Sequence, residues 1–348
     1  MKKLLLFLLC MMLLSGCGQR VEAERDPERL HVVTTVFPAY DFARAVVGDL
    51  ADVTLLLPPG TESHSYEPTP ANILDVQSCD LFLYLGGESD SWVETVLTAV
   101  EPEGETMRMV DCVPLLEEVH AEGMQMQPGH DHEHGHDESC EEEHEHLHHE
   151  GEAEDHEEPE PHGHESAHNL GAVTGMDEHV WTSPKNAAAI TRAVGEQLAE
   201  LDEANAAVYL ANAEEYAENI DALDAEFEAF FQSRDDRTIV FGDRFPLLYF
   251  ADAYHLDYYA AFPGCGTQTE PSAATIAFLT EKVEHEGIST VWYIEFSNHL
   301  VADSIAEATE TQTAMFHTCH NVSKQDVESG VTYLSLMTQN LETLKNYL

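Results

Sequence analysis

Positive charge is the scarcest commodity in this chain. Fifteen Lys and Arg stand against 66 Asp and Glu in 348 residues, a formal net charge of -51, and no Lys or Arg occurs between Arg108 and Lys185. Such a balance excludes the electrostatic grip on a phosphate backbone that nucleic-acid binding needs, and equally a hold on anionic lipid through a basic surface. A cationic ligand suits it better. Long apolar runs are missing as well. Leu4 to Leu14 is too short to span a bilayer, and no other stretch qualifies as a transmembrane helix.

That one short run is informative by position. Lys2 and Lys3 precede it and Leu14-Ser15-Gly16-Cys17 ends it, the layout of an export signal with small residues ahead of a cysteine. The pattern resembles the lipobox of bacterial lipoproteins, which implies cleavage after residue 16 and lipidation of Cys17; an ordinary secretory signal with an incidental cysteine is the alternative. Residues 17–29 then form a polar tether from membrane to folded domain. Export permits disulfides, and Cys79, Cys112, Cys265 and Cys319 lie in the folded regions, so one bridge per half is expected, Cys79 with Cys112 and Cys265 with Cys319.

What the chain has in abundance lies between Val119 and His168. There His130, His132, His134, His136, His144, His146, His148 and His149 alternate with acidic residues. Neutral imidazole is the commonest transition-metal ligand in proteins, and interleaved carboxylates raise the local cation concentration. The tract is too polar to bury a core, so a solvated acidic loop that binds metal weakly is the expectation. Cys140 within it reads as an idle thiol or a further ligand. His132-Glu133-His134-Gly135-His136, His144-Glu145-His146-Leu147-His148 and His164-Glu165-Ser166-Ala167-His168 all match the zinc-protease pattern H-E-x-x-H. They lack the buried amphipathic helix that would put both histidines on one face, and are rejected as such.

Around this tract the apolar pattern alternates between strands and helices. Leu30 to Phe37, Val53 to Leu57, Leu81 to Leu85 and Thr106 to Val110 read as strands. Thr69-Pro70 and Ser183-Pro184 read as helix caps followed by proline at the first helical position. From Glu203 to Phe231 the pattern becomes one long helix, with Tyr209, Tyr216, Leu223 and Phe230 seven apart and Ala213, Ile220 and Phe227 between them. Alternation resumes with strands at Thr238 to Phe241, Tyr258 to Ala261, Thr290 to Ile294 and Thr313 to Phe316, helices from Arg244, Ser272 and Leu300, and a closing helix from Val331. The expected fold is α/β: two parallel-sheet (βα)4 lobes, residues 30–202 and 234–348, joined by a rigid backbone helix at 203–233, with ligands at the strand ends between them.

Polar groups fall at those strand ends. His64 follows the second strand, His179 precedes the Ser183 cap, Asp243 follows Phe241-Gly242, Glu295 closes its strand, and His317 and His320 follow the last. Singly each is most often structural. Drawn from both lobes together, they suit a metal clamped in a cleft.

At these residues the chain resembles the solute-binding proteins of zinc and manganese ABC importers. Pro59-Gly60 through His64 to Pro68-Thr69-Pro70, then Asp177-Glu178-His179-Val180-Trp181 with Ser183-Pro184, look like the family's two metal-histidine signatures, and Tyr249-Phe250, Glu270-Pro271-Ser272 and Ile294-Glu295 follow in family order. The resemblance spans essentially the mature chain, and the histidine-rich insertion is like that of the zinc branch. It implies an extracytoplasmic, lipid-anchored, monomeric receptor that captures the ion and passes it to a membrane permease. One position departs. Counting back from Tyr249-Phe250, the place usually held by His or Glu is Arg244, which cannot be a ligand, so Asp243 is taken instead. The last position, usually Asp, falls near His320, with His317 as alternate. The implied ligand set is His64, His179, Asp243 and His320, with Glu295 orienting a histidine.

Three imidazoles and one carboxylate favour Zn2+ over Mn2+, which prefers oxygen. A zinc hydrolase with Asp243 or Glu295 as base is the rival from another class; nothing positions a nucleophile or an oxyanion for it, and an enzyme is not expected. A surface adhesin is the third reading.

Overall fold

The computed structural model describes residues 29–61, 66–119, 175–264 and 271–348. Among them, eight strands form two four-stranded sheets of identical order, β2-β1-β3-β4 and β6-β5-β7-β8, and every pairing is parallel. The first lobe runs β1 (His31–Thr34), α1 (Phe37–Val47), β2 (Asp52–Leu55), α2 (Pro70–Ser78), β3 (Leu81–Tyr84), α3 (Ser91–Ala99), β4 (Glu105–Arg108) and α4 (Pro184–Leu201). The linker helix α5 (Ala206–Gln232) leads to the second lobe: β5 (Thr238–Phe245), α6 (Leu248–Tyr254), β6 (Asp257–Pro263), α7 (Ala273–Glu286), β7 (Thr290–Ile294), α8 (Leu300–Thr309), β8 (Gln312–Phe316), α9 (Lys324–Ser329) and α10 (Tyr333–Tyr347). The two-lobed α/β architecture read from alternation is the one observed. No helix among the described residues is long and apolar enough to cross a membrane.

Local chemistry sets the helix starts. Thr69 accepts from the Asn72 amide while the Asn72 side chain reaches back to the Thr69 amide, and Pro70 fills the first helical position. Ser183 accepts from Asn186 ahead of Pro184. The linker helix buries Tyr209, Ala213, Ala217, Ile220, Leu223, Phe227 and Phe231, one stripe at helical spacing. Its first half lies along α4 so closely that a Cβ on Gly195 would come within 2.4 Å of the Ala213 Cβ. Its second half meets Phe250 and Tyr254, with Phe227 and Phe250 rings edge-on at 5.2 Å.

One continuous core runs from β1 and α1 through α4 and α5 to α6, β8 and α10, so the two lobes share it. Each sheet also has a smaller core on its other face, around Phe82 and Val93 in the first lobe and Val291 and Ile305 in the second.

Two expectations change. Cys79 and Cys112 form no bridge: the Cys79 thiol donates to the Val76 carbonyl and the Cys112 thiol to the Arg108 carbonyl. Cys79 precedes β3 and Cys112 follows β4, and in a parallel pair those are opposite ends of the sheet. The Cys319 thiol faces the His317 carbonyl, while its expected partner Cys265 lies outside the described residues. The second-lobe helix expected from Arg244 begins at Leu248 instead, because β5 continues through Phe245 and Pro246 lies between.

Candidate metal centre

The strands' carboxyl ends from both sheets open on one cleft of about 400 Å³. Gly60 and Thr61 after β2 and His179 after β4 contribute from the first lobe. Asp243 and Arg244 on β5, Ile294 to Asn298 after β7, and Thr318, His320 and Asn321 after β8 contribute from the second. His64, Cys17, Cys140 and the histidines from His130 to His149 lie outside the described residues.

His179 is held in place by its own loop. The Asp177 carboxylate accepts from the His179 amide at 2.8 Å and sits 3.2 Å from Nδ1. A proton kept on Nδ1 by that carboxylate leaves the Nε2 lone pair for an ion. Burial pushes the His179 pKa down, but the carboxylates of Asp177, Glu178 and Glu118 outweigh it and raise it above the usual histidine value. Glu178 itself turns back into the first lobe, accepting from the Ser89 amide at 2.9 Å. It occupies space where a Cβ on Gly87 would lie 2.0 Å from its Oε2, so that position requires glycine.

His320 owes its direction to a tight turn. Cys319 takes a left-handed conformation, φ 62, with its amide donating to His317 Nδ1 at 3.0 Å. The His317 amide and carbonyl are both bound by the Asn340 side chain, and His317 is not among the residues lining the cleft. His320, three residues on, does line it. His179 and His320 approach edge-on with ring centroids 5.7 Å apart, and Trp181 packs against both, at 5.4 and 5.1 Å.

The second-lobe carboxylates are engaged elsewhere. Asp243 Oδ1 accepts from the Arg244 amide at 2.8 Å and Oδ2 from the Ile294 amide at 3.3 Å. Glu295 accepts from the Thr318 amide at 2.7 Å and from its hydroxyl, and lies 3.8 Å from His317 Nδ1. Each carboxylate fastens neighbouring strand ends together. Among the described residues no three His, Cys, Asp or Glu side chains converge to hold an ion by themselves. His179, Asp243, Glu295 and His320 line one cleft without forming a closed coordination shell.

Sequence reasoning passed over three contributors. Asp177 orients His179; its signal was an Asp two residues before a ligand candidate. Thr318 anchors Glu295 and its carbonyl accepts from Trp181 Nε1 at 2.9 Å. Asn321 donates to the Pro58 and Thr61 carbonyls at 3.3 and 2.6 Å, tying the start of the His64 loop to the turn that carries His320. No local pattern announces the last two. They join segments some 260 and 137 positions apart.

Comparison with known proteins gives this chain a family. The model of the ZnuA family, described as zinc-uptake complex component A, periplasmic, matches residues 32–347. A Bacillus subtilis strain 168 relative, the high-affinity zinc uptake system protein ZnuA, is 29% identical over 353 residues, covering 97% of this chain and 95% of that protein. The zinc-binding lipoprotein AdcA of Streptococcus pneumoniae serotype 4 is 28% identical over 349 residues, 99% of this chain; the match takes in 61% of AdcA, which is a longer protein. In fold, the crystal structure of the Zn(II)-bound ZnuA-like domain of that AdcA superposes with a TM-score of 0.67 at 24% identity, over 92% of this chain and 98% of the domain.

Proposed function

Since this chain belongs to the ZnuA family of zinc-uptake components, we propose that it is an extracytoplasmic receptor that captures Zn2+ in the inter-lobe cleft and delivers it to the permease of an ABC importer. The relatives named for zinc uptake and zinc binding support the cargo. The observation that carries the reading is the pair of imidazoles, His179 from the first lobe and His320 from the second, 5.7 Å apart across one cleft. His64 is the third imidazole of this proposal, brought by the loop whose start Asn321 holds beside His320. Asp243 and Glu295 give the second-lobe wall its negative potential and keep the strand ends in register.

Imidazole-rich coordination favours zinc over manganese. The carboxylates in the cleft wall supply the oxygen character on which the manganese reading rests. Cys17 is the proposed lipid attachment point and the histidines of residues 119–168 the proposed auxiliary sites, weak because ordering a polar loop costs about 1–2 kcal/mol per residue fixed. Metal analysis by mass spectrometry of protein purified without chelator tests the cargo. One tightly held zinc per chain is expected, lost in His64→Ala and His179→Ala. Manganese at that stoichiometry, or zinc retained at wild-type affinity by both variants, overturns the assignment.

A further inference from the structure

A second cavity, of about 390 Å³, shares no lining residue with the metal cleft. Asp41 and Arg44 line it from α1, Asn212, Glu215 and Asn219 from the linker helix α5, and Thr332 closes it ahead of α10. Residues 41 and 44 on one helix, and 212, 215 and 219 on the other, recur at intervals of three and four, so each helix turns one polar stripe to the same space. The wall is therefore built from both lobes and from the helix that joins them.

The two helices bring opposite chemistry. Arg44 is held with its Cζ 5.5 Å from the centre of the Tyr40 ring. It uses only Nη2 within the fold, donating to Asp41 Oδ1 at 2.8 Å and to the Val331 carbonyl at 3.3 Å. A guanidinium has five N–H groups, so those on Nε and Nη1 remain to be given. On the linker helix, Asn212 and Asn219 donate through their amide nitrogens to the Val46 and Glu215 carbonyls at 2.9 and 2.8 Å, which leaves their side-chain oxygens to accept. Glu215 has no ion pair among the described residues. One wall offers donors with a positive charge, the other acceptors with a negative one. A lone anion would meet Glu215 and a lone cation would meet Arg44, whereas a molecule carrying both charges is matched at each end.

We propose that this cavity binds a free α-amino acid as its zwitterion, the carboxylate against Nε and Nη1 of Arg44 and the ammonium against Glu215 and the two asparagine oxygens. Both ends then make charge-assisted hydrogen bonds. The site is separate from the metal cleft and owes nothing to the zinc reading. Because its walls come from α1, the linker helix and the turn before α10, an occupant ties the lobes together, and binding to the folded state alone raises stability.

The test is isothermal titration of the full-length, metal-free protein with glycine, L-alanine and L-glutamine, with acetate and methylammonium as the two half-ligands. Saturable binding of at least one amino acid is expected, together with a rise in melting temperature, and neither half-ligand should match it. Glu215→Gln and Arg44→Met should each weaken that binding at least tenfold. Arg44→Met also takes a partner from buried Asp41, so Glu215→Gln, an exposed position whose change leaves the metal-free melting temperature unaltered, carries the decision. No saturable response to any of the three amino acids at millimolar concentration overturns the proposal. So does unchanged affinity in Glu215→Gln, which would place the amino acid elsewhere. Acetate binding as tightly as the amino acid overturns it too, since the site would then recognise an anion alone.

Discussion

The two lobes use one device in two ways. In each sheet a carboxylate fastens the carboxyl ends of neighbouring strands. In the first lobe it is Asp90, whose Oδ2 accepts from the Leu85 amide after β3 at 2.6 Å and from the Thr35 hydroxyl after β1 at 2.9 Å. In the second, Asp243 joins β5 to β7 and Glu295 joins β7 to the turn after β8. Asp90 is sealed from solvent, whereas Asp243 and Glu295 line the cleft. The same fastening is therefore purely architectural in one lobe and also sets the electrostatics of the site in the other. The first lobe presents His179 to the cleft, with Asp177 behind it. Lobes of identical strand order can divide the labour of a site: each brings an imidazole to the cleft, and the second adds the carboxylates that shape the field around it.

The comparison breaks most sharply at His179. His179→Ala removes a first-lobe donor and should lower zinc affinity roughly a thousandfold, about 4 kcal/mol, while Asp243→Asn should cost far less. Titration against a competing chelator measures both; equal losses would mean that the lobes do not differ in role. The supporting carboxylates come next. Asp177→Asn and Glu295→Gln should each cost about 10–100-fold in affinity, the usual range for a group that orients a ligand. Asp177→Asn should do so with the melting temperature of the metal-free protein nearly unchanged; a large fall in that temperature without loss of affinity would make Asp177 structural only.

The smallest effect on zinc affinity is expected at Asp90, where the consequence is for stability against pH. Burial lifts its pKa from 3.8 to about 7, with Glu178 adding to the rise and the Leu85 and Thr35 hydrogen bonds opposing it. A carboxyl with a higher pKa folded than unfolded favours the folded state at low pH. That contribution is complete below the unfolded value and is lost as pH climbs through the folded one. Wild type should therefore lose stability between about pH 4 and 7 relative to Asp90→Asn, read as a melting temperature that falls as the pH rises across that range. Parallel pH profiles for the two proteins would remove the burial argument.

Much of the fold was legible because its signals are local. Threonine or serine before proline marked the starts of α2 and α4, apolar runs bounded by polar turns marked all eight strands, and the stripe from Tyr209 to Phe227 marked the linker helix. The misreadings came where the decisive fact was spatial. Chain spacing made Cys79 and Cys112 look like neighbours, but says nothing about which end of a parallel strand each occupies. Gly242-Asp243-Arg244 looked like a strand end because an irregular register leaves no periodic trace. In the site, histidines and carboxylates at strand ends were visible as candidates. That His320 lines the cleft and His317 does not depended on one left-handed residue, Cys319, and on Asn340 from a distant helix.

The shared core bears on how such a chain can be assembled as it emerges. Asp41 on α1 is buried, and its Oδ2 accepts from the Tyr333 amide, 292 positions later, as well as from the Tyr216 hydroxyl. Arg44 donates to the Val331 carbonyl, and the Phe42 ring rests edge-on against Tyr333 at 5.2 Å. A nascent first lobe therefore carries a carboxylate and an aromatic face whose surroundings only the last helix completes. Until then Asp41 lacks the amide that helps offset the burial raising its pKa. The lobe synthesised first is finished last, and its maturation waits for the far end of the polypeptide to arrive.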